Sequence, residues 1–287
     1  MSRRPRSRLP PKLDNPAETR APREDTGPSL RELLKREHVA GRSARFGRDE
    51  ILAVMRRVAH GAPATRLGLP PFEGVTFAHV EAAVESVFGW EGDGPRARIA
   101  PVRTIDGFTA ACDRVLEVAR AGGRLAFATG RPASLFPLYR GLAARAEAAG
   151  GDVLSTDESA TFGPGGRRLR WIDKVAILTD HESLLGDDSI DAANELLFTL
   201  ARPDLVVADR VFAGVAIGTG VETVAFADLD AVALALAAWQ GRAIRIVPLD
   251  ERRPPKAYAP LLDLLESIAD GREAATTNGQ GPFSLGS

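Results

Sequence analysis

Residues 124–132 read RLAFATGRP, a short apolar run that ends in a glycine turn and leads into an alanine-rich segment. A run of this length fits a strand buried in a sheet, and the segment after it has the composition of a helix. The same alternation continues from about residue 98, which is the pattern of βαβ units in a parallel sheet. The predicted strands are residues 98–102, 124–128, 152–155, 174–178, 205–208, 223–227 and 243–247.

The segments between these strands predict helices and one flap. Segment 157–171, which is rich in glycine around Pro164, predicts a hairpin or flap instead of a helix. The predicted fold class is therefore α/β, a Rossmann-like, doubly wound and mostly parallel sheet over residues 96–270. The helices are expected to begin near Phe108, Ser134, Asp188, Gly214 and Asp230, with Asp230 as the N-cap of its helix.

The region before this sheet, residues 29–95, has the pattern of a helical subdomain. Ser29 and Glu32 have the spacing of a capping box, and apolar residues follow them at helical spacing. A second apolar stripe begins at Ile51, and Thr76 is placed to cap a third helix. We therefore predict an N-terminal helical cap on the α/β domain.

The two ends of the chain differ in composition from the rest. Residues 1–28 are rich in arginine and proline and poor in apolar side chains, which predicts a disordered basic tail. Residues 271–287 are likewise expected to form a disordered tail. No apolar run follows the N-terminal arginines, and no window approaches the roughly 20 apolar residues of a membrane helix. The chain is therefore predicted to be soluble and cytoplasmic.

Charge and cysteine content exclude several classes of protein. The 37 Lys and Arg residues nearly balance the 38 Asp and Glu residues, so neither a nucleic-acid nor a membrane partner is predicted. The single cysteine, Cys112, excludes an internal disulfide and a cysteine-based zinc site. Since it lies in a helical pattern without a neighbouring histidine or basic cluster, it is expected to be a buried, unreactive thiol.

Aspartates follow four of the predicted strands: Asp180, Asp209, Asp228 and Asp250. In a doubly wound sheet the ligand crevice lies outside the carboxyl ends of the strands. Carboxylates gathered there repel one another unless a cation compensates them, and oxygen ligands favour Mg²⁺ or Mn²⁺. Asp180, Asp209 and Asp228 are therefore predicted to bind a metal ion. The alternative is that these aspartates only cap helices or turns.

The turn formed by Thr129, Gly130 and Arg131 is predicted to bind a phosphate group. Glycine lets the backbone approach an anion, the helix N-terminus offers N–H donors, and the Arg131 guanidinium is a fixed positive fork. A purely conformational turn is the alternative. His181 and Asp250 are candidates to protonate a leaving group beside a catalytic Asp209. The chain has neither a phosphate-binding Gly-Lys-Ser/Thr loop nor Gly-x-Gly-x-x-Gly after a strand, which disfavours ATP-driven transfer and dinucleotide redox chemistry.

Several of these stretches together resemble a bacterial, Rossmann-like family known simply as phosphatase. The resemblance covers roughly residues 30–268 and rests on residues 127–132, 204–209, 212–214, 227–228 and 247–250, together with Pro254, Pro255, Tyr258 and Pro260. It implies phosphomonoester hydrolysis but assigns no catalytic residue. The chain departs from the family pattern directly after Asp209, where Arg210 and Val211 stand in place of a histidine and a glycine.

The Thr-Gly-Arg-Pro turn is also similar to the second motif of haloacid-dehalogenase phosphatases. The nucleophile motif of those enzymes needs two aspartates one residue apart, whereas only Asp106 and Gly107 are present here. A phosphoaspartyl mechanism is therefore disfavoured.

The leading hypothesis from the sequence is a metal-assisted phosphatase acting on a small phosphorylated molecule, with Mg²⁺ or Mn²⁺ lowering the pKa of a bound water. One alternative is a module that binds or senses a sugar phosphate or nucleotide without catalysis. Another is a regulatory protein whose basic tail docks onto an acidic partner. Self-association into a homo-oligomer stays open.

Overall fold

The fold is seen in a computed structural model that describes residues 28–156, 161–162, 167–180, 183–186 and 188–271. The described residues form a mixed α/β structure around a mostly parallel sheet, which confirms the predicted fold class. Its nine strands are β3 (Arg124–Thr129), β4 (Asp152–Val153), β5 (Thr161–Phe162), β6 (Arg167–Ile172), β7 (Val175–Asp180), β8 (Ser183–Leu184), β9 (Leu205–Asp209), β10 (Thr223–Ala227) and β11 (Ile244–Pro248).

The N-terminal region contains three helices and a strand that the sequence did not predict. The Ser29 and Glu32 capping box and the Thr76 N-cap are both present, as predicted. The unpredicted strand β1 pairs with β2 in a separate antiparallel ribbon. The elements are α1 (Leu30–Arg36), β1 (Gly41–Gly47), α2 (Arg48–Ala59), α3 (Phe77–Phe88) and β2 (Arg96–Ile99).

The predicted strand at residues 98–102 is wrong as a strand of the parallel sheet. Its first residues belong to β2, whose sole partner in the described part of the chain is β1, and the following helix starts at Pro101 instead of near Phe108. Proline fits the first turn of a helix because its missing N–H has no partner there in any case. The remaining helices are α4 (Pro101–Arg120), α5 (Pro132–Ala148), α6 (Ile190–Thr199), α7 (Arg210–Gly218), α8 (Val232–Trp239) and α9 (Ala259–Ala269).

The order of the strands predicts a ligand crevice between β3 and β9. The sheet runs β11-β10-β9-β3-β7-β6-β5, with β4 also beside β3 and β8 beside β7. From β3 the chain adds β4 and β7 on one side, and then returns to add β9, β10 and β11 on the other. The winding direction therefore reverses between β3 and β9, which is where open α/β sheets bind ligands.

The predicted hairpin at residues 157–171 is present in its described part. Strands β5 and β6 pair antiparallel, and β6 continues antiparallel against β7. Residues 157–160 and 163–166 of the predicted flap lie outside the described residues. The antiparallel strands thus extend the β7 edge of an otherwise parallel sheet.

The central strands are buried on both faces, as their continuous apolar sequences require. Helices α4, α5 and α9 pack on one another, and α7 packs on both α6 and α8, so each group covers one face of the sheet. Cys112 is buried, which confirms the predicted burial, and this burial raises the pKa of its thiol. Among the helices of the described chain, none combines the length and the apolar character that crossing a bilayer demands.

Gly214 allows α7 to pass close to the loop at Leu67. A Cβ atom at position 214 would overlap the Leu67 carbonyl oxygen, so Gly214→Ala requires the backbone to move. We expect this change to lower the free energy of unfolding by about 2 kcal/mol or more, the usual cost of overpacking. The matched control is Gly218→Ala on the same helix, where the nearest atom to the new Cβ is Pro70 Cδ at an ordinary 3.5 Å. Urea denaturation measures both, and equal stabilities would contradict the close approach at Leu67.

Candidate functional site

Asp209 and Thr129 lie side by side at the point where the sheet reverses. Ala128 of β3 and Ala208 of β9 are register partners, so the next residues of both strands are adjacent. The Thr129 hydroxyl donates a short hydrogen bond to Asp209 Oδ2, and the Gly130 N–H donates to Oδ1 at 2.8 Å. The Arg131 N–H in turn donates to Thr129 Oγ1 at 2.9 Å. Asp209 therefore fixes the predicted phosphate turn.

The Asp209 carboxyl is fully buried, at 0% exposure. Burial raises its pKa, and the hydrogen bonds from Thr129 and Gly130 oppose the rise, with smaller contributions from the Arg131 and Arg210 charges. Tyr139 of α5 is also fully buried, and its pKa is raised by burial first and then by the Asp209 charge. The reversal point is thus a dry environment, in which charges interact strongly.

Two buried guanidiniums, those of Arg131 and Arg210, form what we call the arginine fork. Both side chains come from the turns that lead into α5 and α7, and the two residues are only 9% and 8% exposed. Arg210 Nε donates to both oxygens of Asp188, at 2.8 and 2.9 Å, and Arg131 Nη2 lies 3.4 Å from Asp188 Oδ2. The fork thus already holds one carboxylate.

Glu251, the residue after the predicted Asp250, is buried beneath the arginine fork. Its Oε2 atom lies 3.5 Å from Arg210 Nη1 and 3.8 Å from Arg131 Nε, while Oε1 accepts the Asp228 N–H at 3.2 Å. Burial raises the pKa of Glu251, opposed first by Arg210. The sequence analysis missed Glu251 because the end of an apolar run does not show which of two successive carboxylates faces the crevice.

Arg210, which in the sequence is only a departure from the family pattern, is central to this cluster in the structure. Its backbone φ is +47°, in the left-handed region that non-glycine residues rarely occupy. Its guanidinium binds Asp230 Oδ1 at 3.0 Å, besides its contacts to Asp188 and Glu251. The prediction that Asp230 caps a helix is therefore wrong: Ala231 is the N-cap residue of α8, and the Asp230 side chain serves Arg210.

A second group joins Asp228 and Asp250 to Arg45 of β1. Arg45 Nη1 lies 2.7 Å from Asp228 Oδ2 and 3.5 Å from Asp250 Oδ1. Burial, followed by repulsion from Asp250 and Asp230, raises the pKa of Asp228 to about 7, against the opposing charge of Arg45. A recess of about 10 Å³ borders both aspartates, enough for one water-sized group. The Asp228 carboxyl, with Asp250 beside it on the same guanidinium, therefore has a pKa near neutral pH.

Part of the capping interpretation also holds for these aspartates. Asp228 Oδ1 accepts the Leu229 N–H at 2.7 Å, and Asp250 Oδ1 accepts the Arg252 N–H at 2.9 Å.

Arg252 is exposed, and no carboxylate of the described chain pairs with its guanidinium. Its pKa is lowered by burial and then by the Arg45 and Arg131 charges, which places it among the other cations of the site.

Asp180 stands apart from this arrangement. Thr129 pairs with Ile177 of β7, so Asp180 lies three residues further on, about 10 Å along the strand, opposite Arg167 of the flap. Among the described residues, no three histidine, cysteine, aspartate or glutamate side chains converge as metal ligands would. His181, the predicted proton donor, lies outside the described residues.

Together, the fold and this cluster define an α/β protein with a buried group of arginines and carboxylates at the carboxyl edge of its sheet. A family model described as Phosphatase matches residues 25–271. The chain is also 32% identical over 243 residues, which is 81% of this chain and 92% of the relative, to Phosphatase SCO2771 of Streptomyces coelicolor (strain ATCC BAA-471 / A3(2) / M145). The chain therefore belongs to the Phosphatase family, as the resemblance in its sequence predicted.

Proposed function

We propose that this protein hydrolyses the phosphate monoester of a small molecule, with the phosphoryl group held in the arginine fork. The observation that carries the proposal is the binding of the Asp188 carboxylate by two buried guanidiniums above the Thr129–Arg131 turn. Two guanidiniums that bind both oxygens of a carboxylate have the positive charge and the planar arrangement of donors that phosphate oxygens also need. Family membership supports the same reaction class.

The surroundings of the fork favour a phosphoryl group over a simple carboxylate. Helices α5 and α7 both begin beside it, so their N-terminal N–H groups and dipoles add positive potential where the anion would lie. Arg252, which is exposed and lies close enough to Arg45, Arg131 and Asp230 for their charges to act on its pKa, supplies a further guanidinium. Asp209 holds the turn in place, and we assign it a positioning role through Thr129 and Gly130.

The Asp228 and Asp250 pair is proposed as the proton donor. Because the pKa of Asp228 is about 7, a proton is available there at neutral pH. As water attacks phosphorus, a P–O bond to water forms and the P–O bond to the leaving group breaks. The leaving oxygen takes the proton from the aspartate pair, and a proton from the attacking water restores it. The arginines stabilise the charge on the equatorial phosphoryl oxygens throughout.

A metal ion at Asp180, Asp209 and Asp228 remains a prediction from the sequence. In the present arrangement both oxygens of Asp209 accept hydrogen bonds from Thr129 and Gly130, and Arg45 binds Asp228, so these carboxylates do not fit a shared Mg²⁺ or Mn²⁺ ion. The compensating cations of the described site are guanidiniums. The proposed hydrolysis therefore uses no metal ion at these carboxylates. Turnover measured in the presence and absence of EDTA tests metal dependence directly.

The proposed function predicts both a substrate preference and a pH dependence. The full-length protein should hydrolyse an aryl phosphate monoester but not the corresponding diester. The turnover number should fall as pH rises through about 7, because Asp228 must be protonated to donate. Asp228→Asn should remove this fall together with most of the activity. Absence of hydrolysis across a panel of sugar, nucleotide and aryl monoesters would contradict the proposal.

A sensing module without catalysis is the second candidate, and one observation favours it. Arg210 stands where the family pattern has a histidine, and its guanidinium is fully engaged with Asp188, Asp230 and Glu251. A phosphate ester that raises the melting temperature without being hydrolysed would favour sensing over hydrolysis.

A further inference from the structure

The contact between Asp188 and the arginine fork has the geometry of a bound ligand. Arg210 Nε meets both Asp188 oxygens at 2.8 and 2.9 Å, and Arg131 Nη2 lies 3.4 Å from one of them. These are the groups to which we assign the phosphate oxygens of the substrate. A carboxylate and a phosphoryl group cannot both occupy them, since each needs the same donors.

The segment that carries Asp188 lies directly over the phosphate turn. A Cβ atom at Gly186 would be 3.7 Å from the Gly130 carbonyl oxygen and 3.9 Å from Arg131 Nη1. Asp188 lies just before α6, and the side-chain cap of that helix comes from the next residue, Ser189, which accepts the Ala192 N–H. The side chain is also 31% exposed, which leaves an outward path for its carboxylate.

We propose that Asp188 is a built-in competitor for the phosphate site, which a phosphorylated ligand must displace in order to bind. This inference rests on the proposed function, because it assigns the same fork to the substrate. The protein with Asp188 in the fork is closed to phosphate, and rotation of the side chain toward solvent opens it. Between turnovers, the Asp188 carboxylate compensates the positive charge of the two guanidiniums. A ligand must bind the fork tightly enough to displace this carboxylate.

The effect on affinity follows from the fraction of molecules in which the fork is open. The apparent dissociation constant equals the intrinsic constant divided by that fraction, so a fork that is open in about one molecule in ten binds phosphate about tenfold more weakly. Removing the Asp188 charge eliminates this competitor permanently, while Asp230 and Glu251 keep their contacts to the fork. A residue that merely oriented the arginines would have the opposite effect, because its loss would weaken phosphate binding.

The test compares inorganic phosphate binding to the wild-type protein, Asp188→Asn and Asp188→Ala by isothermal titration calorimetry. We expect both variants to bind phosphate about tenfold more tightly or better. Asp191→Asn is the matched control, since Asp191 is an exposed residue of the first turn of α6 and does not pair with the fork. The thermal shift caused by phosphate gives a second readout that does not depend on catalysis.

The outcomes separate this inference from the proposed function. If phosphate binds the wild-type protein and the variants equally, or binds the variants more weakly, Asp188 orients the fork and the competitor role is overturned while the phosphate site stands. If none of the proteins binds phosphate, both proposals are overturned. Tighter binding in Asp188→Asn and Asp188→Ala, with no change in Asp191→Asn, supports the competitor role even if hydrolysis is absent.

Discussion

Arg131→Lys is expected to lower kcat/KM for an aryl phosphate by about 100-fold or more, the usual cost of losing one preorganised donor to a transition-state oxygen. Lysine keeps the positive charge but is a point donor, so it cannot reproduce the planar contacts that Arg131 makes with Asp188 and Glu251. The measurement is steady-state hydrolysis, with circular dichroism to verify the fold.

The matched control for this prediction is Arg140→Lys. Arg140 lies on the same helix, α5, and makes an exposed ion pair with Asp173 at 3.6 Å. Surface pairs of this kind contribute little to stability, so we expect wild-type turnover from the control. Near-normal hydrolysis by Arg131→Lys would remove Arg131 from the phosphate site.

Asp209→Asn is expected to cause a loss of similar size, again about 100-fold, through a different route. The neutral amide presents an N–H group where the Thr129 hydroxyl now donates, and it removes a negative charge near both arginines of the fork. The turn at Gly130 would therefore lose its fixed position, although asparagine has almost the same volume as aspartate. Hydrolysis and urea denaturation should be measured together, because an unfolded variant would be uninformative.

Asp204→Asn provides the control at the opposite end of the same two strands. Asp204 Oδ2 accepts the Arg124 N–H at 2.8 Å, so it links the start of β9 to β3 much as Asp209 links their ends. Its side chain is half exposed, and we expect a small loss of stability with unchanged turnover. If the two variants lost activity equally, the effect would reflect strand pairing in general, and the positioning role of Asp209 would be lost.

The strand tips and the Thr129–Arg131 turn could be predicted because they depend on local sequence. Apolar runs located β3, β9 and β10, and the residue after each run located Asp209 and Asp228. The rule that parallel strands present their carboxyl ends at one edge then brought Thr129 and Asp209 together correctly. Local patterns thus determined which part of the sheet to search.

The cations of the site could not be predicted because their positions depend on long-range packing. Arg45 lies on a strand that pairs, within the described residues, with β2 alone, and nothing in residues 41–47 marks it as a strand that contributes to the site. Repulsion between the carboxylates predicts a compensating cation, and a metal ion was the predicted one. In the described site the cations beside the carboxylates are guanidiniums. The direction in which Arg210 points follows from its unusual backbone conformation, which apolar periodicity does not show.

The contact between Arg45 and Asp228 also bears on how the protein is made. The two residues are 183 positions apart in the chain, and Glu251, which anchors the fork, comes later still. During synthesis on the ribosome, every partner that neutralises Arg45 emerges more than 180 residues after it. A translation product that stops before residue 251 would therefore carry the arginines of the site without their full set of counter-charges. Complete synthesis is thus a condition for assembling the site at all.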